Sequence, residues 1–467
     1  MFVIAFIVFV VSASLVHSDS WTIPSNSLQP SDPISGWTTL DPQEETVKDL
    51  ASSAVKQFNF RASISDYYQP LVKVISARRL AVRGYVYELI VQLGVSECSR
   101  ESNLHDLNEC PAVGSSQNKI RVRIFVSSEG SLWPAEFVDL DAVDKTEGLL
   151  AKMASQYEKT VQADHFEQFR RFAKTYFKTY ATASEAEKRF RIYQQNLHDA
   201  ALLQKRDPLA QFGETVFSDL TPAEFAKSHL SNFDHSDVKL PIQNQFPEAP
   251  EEFDWRSKGV LGPAKYQGNC HDCWAFSAIA IIEANYARKT HKMMALSEQQ
   301  LLDCGSGNCS LAQPNVAYSG HYIRALTELK QKQDGKVMRE SDYPYEGKKG
   351  ECRFNDSIAE AKVIDALSTP QDEGIMAAAV VDVGPLAVCL CSGPLQFYAG
   401  GIVRHSGNCT VDHGGVLVGY GKRNDTPVWI VRNSWGENWG PYGGYFYLYR
   451  GNNSLKLTQE QPAYVML

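Results

Sequence analysis

The chain has 467 residues, ten of them cysteine, and a formal net charge of −8. That length predicts two or three domains, and the negative balance argues against nucleic acid as a partner. Ten cysteines predict an oxidising compartment with disulfides.

Residues 2–16 are apolar apart from Ser12 and Ser14 and run into Val16-His17-Ser18. This is the pattern of a secretory signal peptide over 1–18, although the charged n-region is missing. The run is short for a membrane span and no later stretch reaches about 18 apolar residues, so no transmembrane segment is expected. Sequons at Asn308, Asn355, Asn408, Asn424 and Asn452 fit a lumenal route. Residues 45–58 predict an amphipathic helix through Val47, Leu50, Ala54, Val55 and Phe58. Residues 71–76 and 82–93 predict a hairpin, and 120–127 a further strand with alternating Arg121, Val122, Arg123 and Ile124. Over 164–203, Phe166, Phe169, Phe172 and Tyr176, then Phe190, Tyr193, Leu197 and Ala200, recur at helical spacing and predict two helices. Residues 239–250 are rich in Pro, Gln and Glu with few anchoring side chains, a composition that suits proteolytic cutting.

The chemistry concentrates further on. Gln267-Gly268-Asn269-Cys270-His271-Asp272-Cys273 leads into an almost wholly apolar run over 274–287, which predicts a buried helix with Cys273 at its start. Unpaired N–H groups and the positive end of the helix dipole favour a thiolate there. His413 and Asn433 follow Cys273 by 140 and 160 residues, each beside an apolar strand. Taken singly, a cysteine is more often core packing than a nucleophile, and a lone histidine or asparagine usually bonds to backbone. Cys270 and Cys273 also form a C-x-x-C, but without the βαβ surroundings of a redox pair. Three segments in this order and spacing outweigh the separate bland readings.

At these residues the chain resembles the papain family of cysteine proteases. The resemblance implies a thiolate–imidazolium pair of Cys273 and His413, oriented by Asn433, with Gln267 and the Cys273 N–H as oxyanion donors and Trp435 shielding the Asn433–His413 bond. It further implies substrate contacts from Trp435, Trp439, Leu311, Ala312, Pro314, Cys389 and Gly414, and preference for a bulky apolar side chain two residues before the scissile bond. No metal or other cofactor is expected. Two places depart from the family pattern. Cys309-Ser310-Leu311-Ala312-Gln313-Pro314 stands where a Cys-Asn-Gly-Gly run is usual, which predicts a narrower cleft. His271-Asp272 stands where Gly-Ser or Gly-Ala is usual; the carboxylate should oppose the thiolate unless screened or paired with His271, which is otherwise expected to turn to solvent. Leu301-Leu302-Asp303-Cys304 and Tyr343-Pro344-Tyr345 before Cys352 resemble family segments, implying Cys304–Cys352 and Cys270–Cys309 disulfides. Cys98 and Cys110 are expected to close a loop. Cys409 can take Cys389 or Cys391, leaving one free thiol.

Upstream, Glu185, Arg189, Tyr193, Asn196, Ala200 and Gln204 on one helix, with Gly213-Glu214-Thr215-Val216-Phe217-Ser218-Asp219-Leu220 after it, resemble the two propeptide motifs of cathepsin F-like zymogens. The resemblance implies an intramolecular inhibitor that crosses the cleft against the substrate direction. Its mixed charges predict loosening in acid as carboxylates such as Glu185 and Asp219 take up protons. Gly36, Leu80-Ala81-Val82-Arg83-Gly84, Tyr87, Leu93-Gly94, Cys98/Cys110 and Trp133-Pro134 fall in the order of a cystatin, with Leu80 where Gln is usual. The whole is similar to a cathepsin F-like precursor: signal peptide 1–18, cystatin-like domain 19–140, inhibitory propeptide 141–245 and papain-like peptidase domain 246–467. The implied fold is α+β, a helical lobe facing an antiparallel barrel-like lobe, preceded by a helical propeptide and a helix-on-sheet domain. The implied function is a secreted or lysosomal cysteine endopeptidase acting on proteins or peptides and subject to cystatin-type inhibitors. A catalytically weak protease-like binding protein and a released cystatin-type inhibitor are the rival functions.

Overall fold

The computed structural model describes residues 36–61, 67–99, 110–113, 118–158, 160–233, 238–309, 319–404 and 409–467. The expected signal segment 1–18, Leu311, Ala312, Pro314 and the Asn408 sequon lie outside the described residues.

The amino-terminal unit is an antiparallel sheet of β1 (Trp37–Leu40), β2 (Leu71–Val82), β3 (Gly84–Leu93), β4 (Lys119–Val126) and β5 (Glu136–Asp139), in that spatial order. Helix α1 (Glu45–Arg61) crosses one face. Its apolar stripe, Val47, Leu50, Ala54, Val55 and Phe58, packs on Leu89, Val91, Ile120 and Val122, the inward residues of alternating strands. Residues 77–81, left between the two strands expected at 71–76 and 82–93, are strand as well: β2 and β3 pair as far as Val82 and Gly84, leaving Arg83 as the turn. Gly84 makes so tight a reversal possible. Its φ is +122°, and a methyl there would lie 2.4 Å from the Val126 carbonyl oxygen.

A helical unit follows: α2 (Leu140–Tyr157), α3 (Ala163–Thr175), α4 (Ala183–Arg206), the short strand β6 (Ala210–Phe212) and α5 (Pro222–His229). The spaced aromatics predicted for α3 and α4 interleave as Phe166, Phe169, Phe172, Phe190 and Tyr193, joined by Leu150 and Met153 of α2. Helix α2 was not apparent from periodicity; it grows directly out of β5, with the Asp139 carboxylate accepting the Ala142 N–H at its start. A capping box of Thr221 and Glu224, with Pro222 in the first turn, fixes the start of α5.

In the peptidase part, β7 (Phe253–Asp254) precedes the helices α6 (Cys273–Thr290), α7 (Glu298–Cys304) and α8 (Tyr322–Gln333) and the small pair β8 (Lys336–Val337) and β9 (Ala361–Lys362). The second lobe holds β10 (Asp365–Ser368), α9 (Glu373–Val383), β11 (Leu386–Leu390), β12 (Tyr398–Val403), β13 (His413–Arg423), β14 (Thr426–Arg432), β15 (Tyr445–Tyr449) and β16 (Ala463–Met466). The strands run β10-β16-β11-β13-β14-β15-β12-β6, with β7 on β13. β12 and β15 run parallel, so this lobe is not purely antiparallel, and β6 of the helical unit extends its edge. The structure joins Cys98–Cys110, Cys270–Cys309, Cys304–Cys352 and Cys391–Cys409, which leaves Cys273 and Cys389 as thiols.

Candidate active site under a propeptide

Helix α6 is apolar on every side because it lies between the lobes, and its first residue is Cys273. His413 opens β13, and Asn433 follows the last residue of β14; the two strands are neighbours, with Val416 opposite Arg432. Their side chains therefore meet. His413 Nε2 lies 2.7 Å from Asn433 Oδ1, and the Trp435 ring covers the imidazole at 4.6 Å between centroids. The other imidazole nitrogen, Nδ1, is buried without a hydrogen-bond partner. Gln267 is held by Ser434 Oγ, which donates to its Oε1 at 2.7 Å, leaving Nε2 turned to the Cys270 carbonyl (2.7 Å) and the His229 carbonyl (3.3 Å).

His229 belongs to the helical unit, whose chain runs through the site. Gln267 Nε2 donates to its carbonyl, and two residues on Ser231 Oγ lies 2.9 Å from Cys273 Sγ and donates to the His271 carbonyl at 2.7 Å. Ser231 N donates to the Asp412 carbonyl at 2.7 Å, and Ser319 N to the Asn232 carbonyl at 2.9 Å. Phe233 then bridges to Gly320 and is fully buried, edge-on to His321 at 5.4 Å. Ser231 is thus a contact of Cys273 that sequence reasoning missed, and it likewise missed Ser319 and Gly320, which meet the backbone of Asn232 and Phe233. Gly320 is forced: a methyl there would stand 2.5 Å from the Trp274 ring.

Burial governs the charges. It pushes the Cys273 thiol up to about 12, against the contact with Ser231 Oγ and the Gly414 N–H, and it lowers His413 to about 4 despite the bond to Asn433. Under this cover burial disfavours both charged forms of the expected thiolate–imidazolium pair. A rise of three pH units amounts to about 4 kcal/mol, more than the roughly 0.3–2 kcal/mol that a helix terminus returns.

The His271-Asp272 dipeptide also differs from expectation. His271 does not face solvent or Asp272; it is buried beneath the helical unit, with Nε2 bonded to the Lys227 carbonyl. Asp272 is fully buried, and its Oδ2 lies 2.8 Å from the Tyr345 hydroxyl, which lies 2.8 Å from the Gln267 carbonyl. A tyrosine has one hydroxyl hydrogen, and a carbonyl only accepts. Both bonds are complete if Asp272 carries a proton, giving it to Tyr345, which gives its own to Gln267. Burial acts the same way, raising the carboxyl to about 8. Burial thus favours the neutral carboxyl beside Cys273 and weakens the expected opposition to the thiolate.

Of the remaining expected contacts, Gly414 gives its N–H to Cys273 Sγ at 3.2 Å, and Cys389 lies opposite Gly414 in β11 with its sulfur 3.6 Å from His321 Nε2. Trp439 is a correction. It is fully buried behind Trp435 and packs on Tyr398 and Phe446, so it supports the site wall and offers substrate no surface. Cys270, Asp272 and Cys309 cluster closely enough to suggest a metal, but both sulfurs are spent in a disulfide. No described helix is long and apolar enough to cross a membrane.

Comparison with known proteins agrees with this geometry. Residues 249–466 match the papain family cysteine protease model, 169–225 the cathepsin propeptide inhibitor domain and 35–120 the cystatin domain. Cysteine proteinase 15A of Pisum sativum is 36% identical over 321 residues, covering 64% of this chain and 85% of its own length. Cathepsin F of Mus musculus is 36% identical over 296 residues, covering 61% and 62%. Digestive procathepsin L 3 of the Tenebrio molitor larval midgut superposes with a TM-score of 0.57 at 27% identity, covering 66% of this chain and all of that one. The chain belongs to the papain family of cysteine proteases, as a cysteine endopeptidase made in zymogen form with a cathepsin-type propeptide and an amino-terminal cystatin domain.

Proposed function

We propose that Cys273 is the nucleophile, His413 its proton partner, Asn433 the group that orients His413, and Gln267 Nε2 with the Cys273 N–H the oxyanion donors. The observation that carries this reading is the propeptide itself: a backbone carbonyl rests on Gln267 Nε2 while the next segment covers Cys273 Sγ, as a peptide would. Once the propeptide leaves, water reaches the cleft and the burial penalty on both charged forms falls, so a proton can pass from Cys273 to His413. Sγ then bonds to the scissile carbonyl carbon, and the tetrahedral oxyanion is stabilised by about 3–4 kcal/mol per donor. The imidazolium protonates the departing amine as the C–N bond breaks. Water, deprotonated by His413, opens the thioester and returns the thiol. Phe233, buried beside His321, supports preference for an apolar side chain two residues before the scissile bond.

Residues 1–18 act as the signal, and maturation cuts within 239–250, where residues 244, 245, 247 and 248 are exposed. Domain limits of 19–140, 141–245 and 246–467 follow. The enzyme works in the secretory route, lysosome or exterior, on protein or peptide substrates, is subject to cystatin-type inhibitors and does not engage nucleic acid. Cys273→Ala tests the assignment: the zymogen is secreted folded and hydrolysis falls by about three orders of magnitude or more. Retained turnover in purified Cys273→Ala protein would refute the nucleophile.

A further inference from the structure

The amino-terminal unit rests on the peptidase flank through the end of its sheet near the β2–β3 turn, where Val86 and Phe125 pair across the interior strands β3 and β4. Val86, Phe125 and Trp133 form a buried apolar seam with Met293 and Ala295, flanked by Trp37, Leu80 and Val82. Backbone bonds border it: Ala295 N donates to Ser131 Oγ at 3.1 Å, and Arg83 Nη2 to the Ser257 carbonyl at 3.5 Å. Nearer the cleft, Asn438 Nδ2 donates to Glu136 Oε2 at 3.2 Å. These contacts join residues 83–136 directly to residues 257–295 and 438 and do not pass through the helical unit. Separation would expose Phe125, Trp133 and Val86 together on one piece and Met293 on the other, a contiguous apolar patch that a free soluble domain rarely carries.

We propose that the seam is a lasting subunit interface, so that residues 36–139 stay bound to the mature peptidase when the helical unit between them is removed. The partner is this chain's own five-stranded sheet, at its end near the β2–β3 turn. While the helical unit is still attached, the seam also holds it near the cleft, raising its effective concentration there after a first cut. The proposal assumes a processed peptidase, but not the catalytic roles given above.

The peptidase face offers a clean probe. A methyl added at Gly262 would lie 2.3 Å from Cζ2 of Trp133, while Gly262 does not need the left-handed backbone that glycine alone adopts readily. Full-length protein is digested, by acid processing or a limited dose of trypsin, until mass spectrometry finds the helical unit gone; native size-exclusion follows at pH 7 and pH 4.5. Residues 36–139 are expected to elute with the peptidase at both values. Gly262→Ala should weaken that association at least tenfold while hydrolysis by the peptidase is unchanged, and adding Trp133→Ala should recover part of it. Met293→Asp gives the same release by a different route if Gly262→Ala expresses poorly. Separate elution of the wild-type pieces, or co-elution undiminished in both Gly262→Ala and Met293→Asp, overturns the proposal.

Discussion

Two parts of this precursor cover the same peptidase by different chemistry. Over the cleft lies the segment from α5 to Phe233, held by hydrogen bonds and by a histidine kept neutral. On the flank lies one end of the five-stranded sheet, held by Trp133, Phe125, Val86 and Met293. His229 is the telling residue of the first. Its ring stacks on Phe225, meets Trp435 edge-on and Phe217 at a tilt, Nδ1 bonds to Ser228 Oγ, and Nε2 is buried without a partner. Burial, then the nearby Lys178 and His413, lower it to about 3. The carboxylates first expected to sense acid are less suited. Among the described residues Glu185 accepts the Ala181 N–H and Asp219 pairs with Lys178 at 2.8 Å rather than with an arginine. Glu224, although partly desolvated, is held at about 2 by Thr221 N–H, Lys188 and Arg189, so its bonds outlast mild acid. One cover should therefore loosen as pH falls while the other does not.

The largest expected effect on that contrast is at His229. Free, the imidazole titrates near 6.5; covered, near 3. The covered state binds fewer protons between those values, so its stability is full above 6.5 and is lost progressively as pH falls, by about 2–3 kcal/mol at pH 4.5. His229→Gln removes this term. Propeptide release at pH 4.5, followed by N-terminal sequencing and onset of hydrolysis, should slow roughly 30- to 100-fold, with little change at pH 7. Equal acid processing of the variant and the wild type would assign the trigger elsewhere.

A smaller effect is expected at Asp272, where the proton is held rather than refused. With a folded value near 8 against an ordinary 3.8, the folded state binds the extra proton, so Asp272 costs stability increasingly as pH rises from 3.8 to 8. Asp272→Asn retains a donor toward Tyr345 and does not ionise. Thermal unfolding of the zymogen should show stabilisation of about 1–3 kcal/mol at pH 7 and almost none at pH 4. An identical shift at both values would mean that Asp272 is ionised in the fold. The same substitution should leave the acidic limb of Cys273 alkylation where it is, whereas an anionic Asp272 would require that limb to move.

The smallest is at the cap of α5. Glu224→Gln disrupts the pairs with Lys188 and Arg189 and weakens the capping box, for about 1 kcal/mol of propeptide stability at both pH 7 and pH 4.5. Chemical denaturation of the zymogen monitors this directly, and a loss confined to low pH would contradict a carboxylate held near 2.

The linear sequence by itself determined the elements whose partners are near neighbours or whose spacing is rigid. Val47 to Phe58 and the aromatics of α3 and α4 repeat at the helical period, so their buried faces could be read before any fold was known. Cys273 at the start of an apolar helix, with His413 and Asn433 beside neighbouring strands, was legible because each residue type occupies a chemically restrictive place. Only the tertiary structure decided what depends on segments far apart in the chain meeting in three dimensions. Ser231 reaches Cys273 across 42 positions, and Ser319 meets the Asn232 carbonyl. Asp272, 73 positions from the Tyr345 hydroxyl it meets, is raised to about 8 by burial, which the fold alone imposes. Cys391 rather than Cys389 meets Cys409: Cys391 lies just past the end of β11, whereas Cys389 is held inside the ladder opposite Gly414. Charge state follows burial and partners, and both are properties of the folded chain.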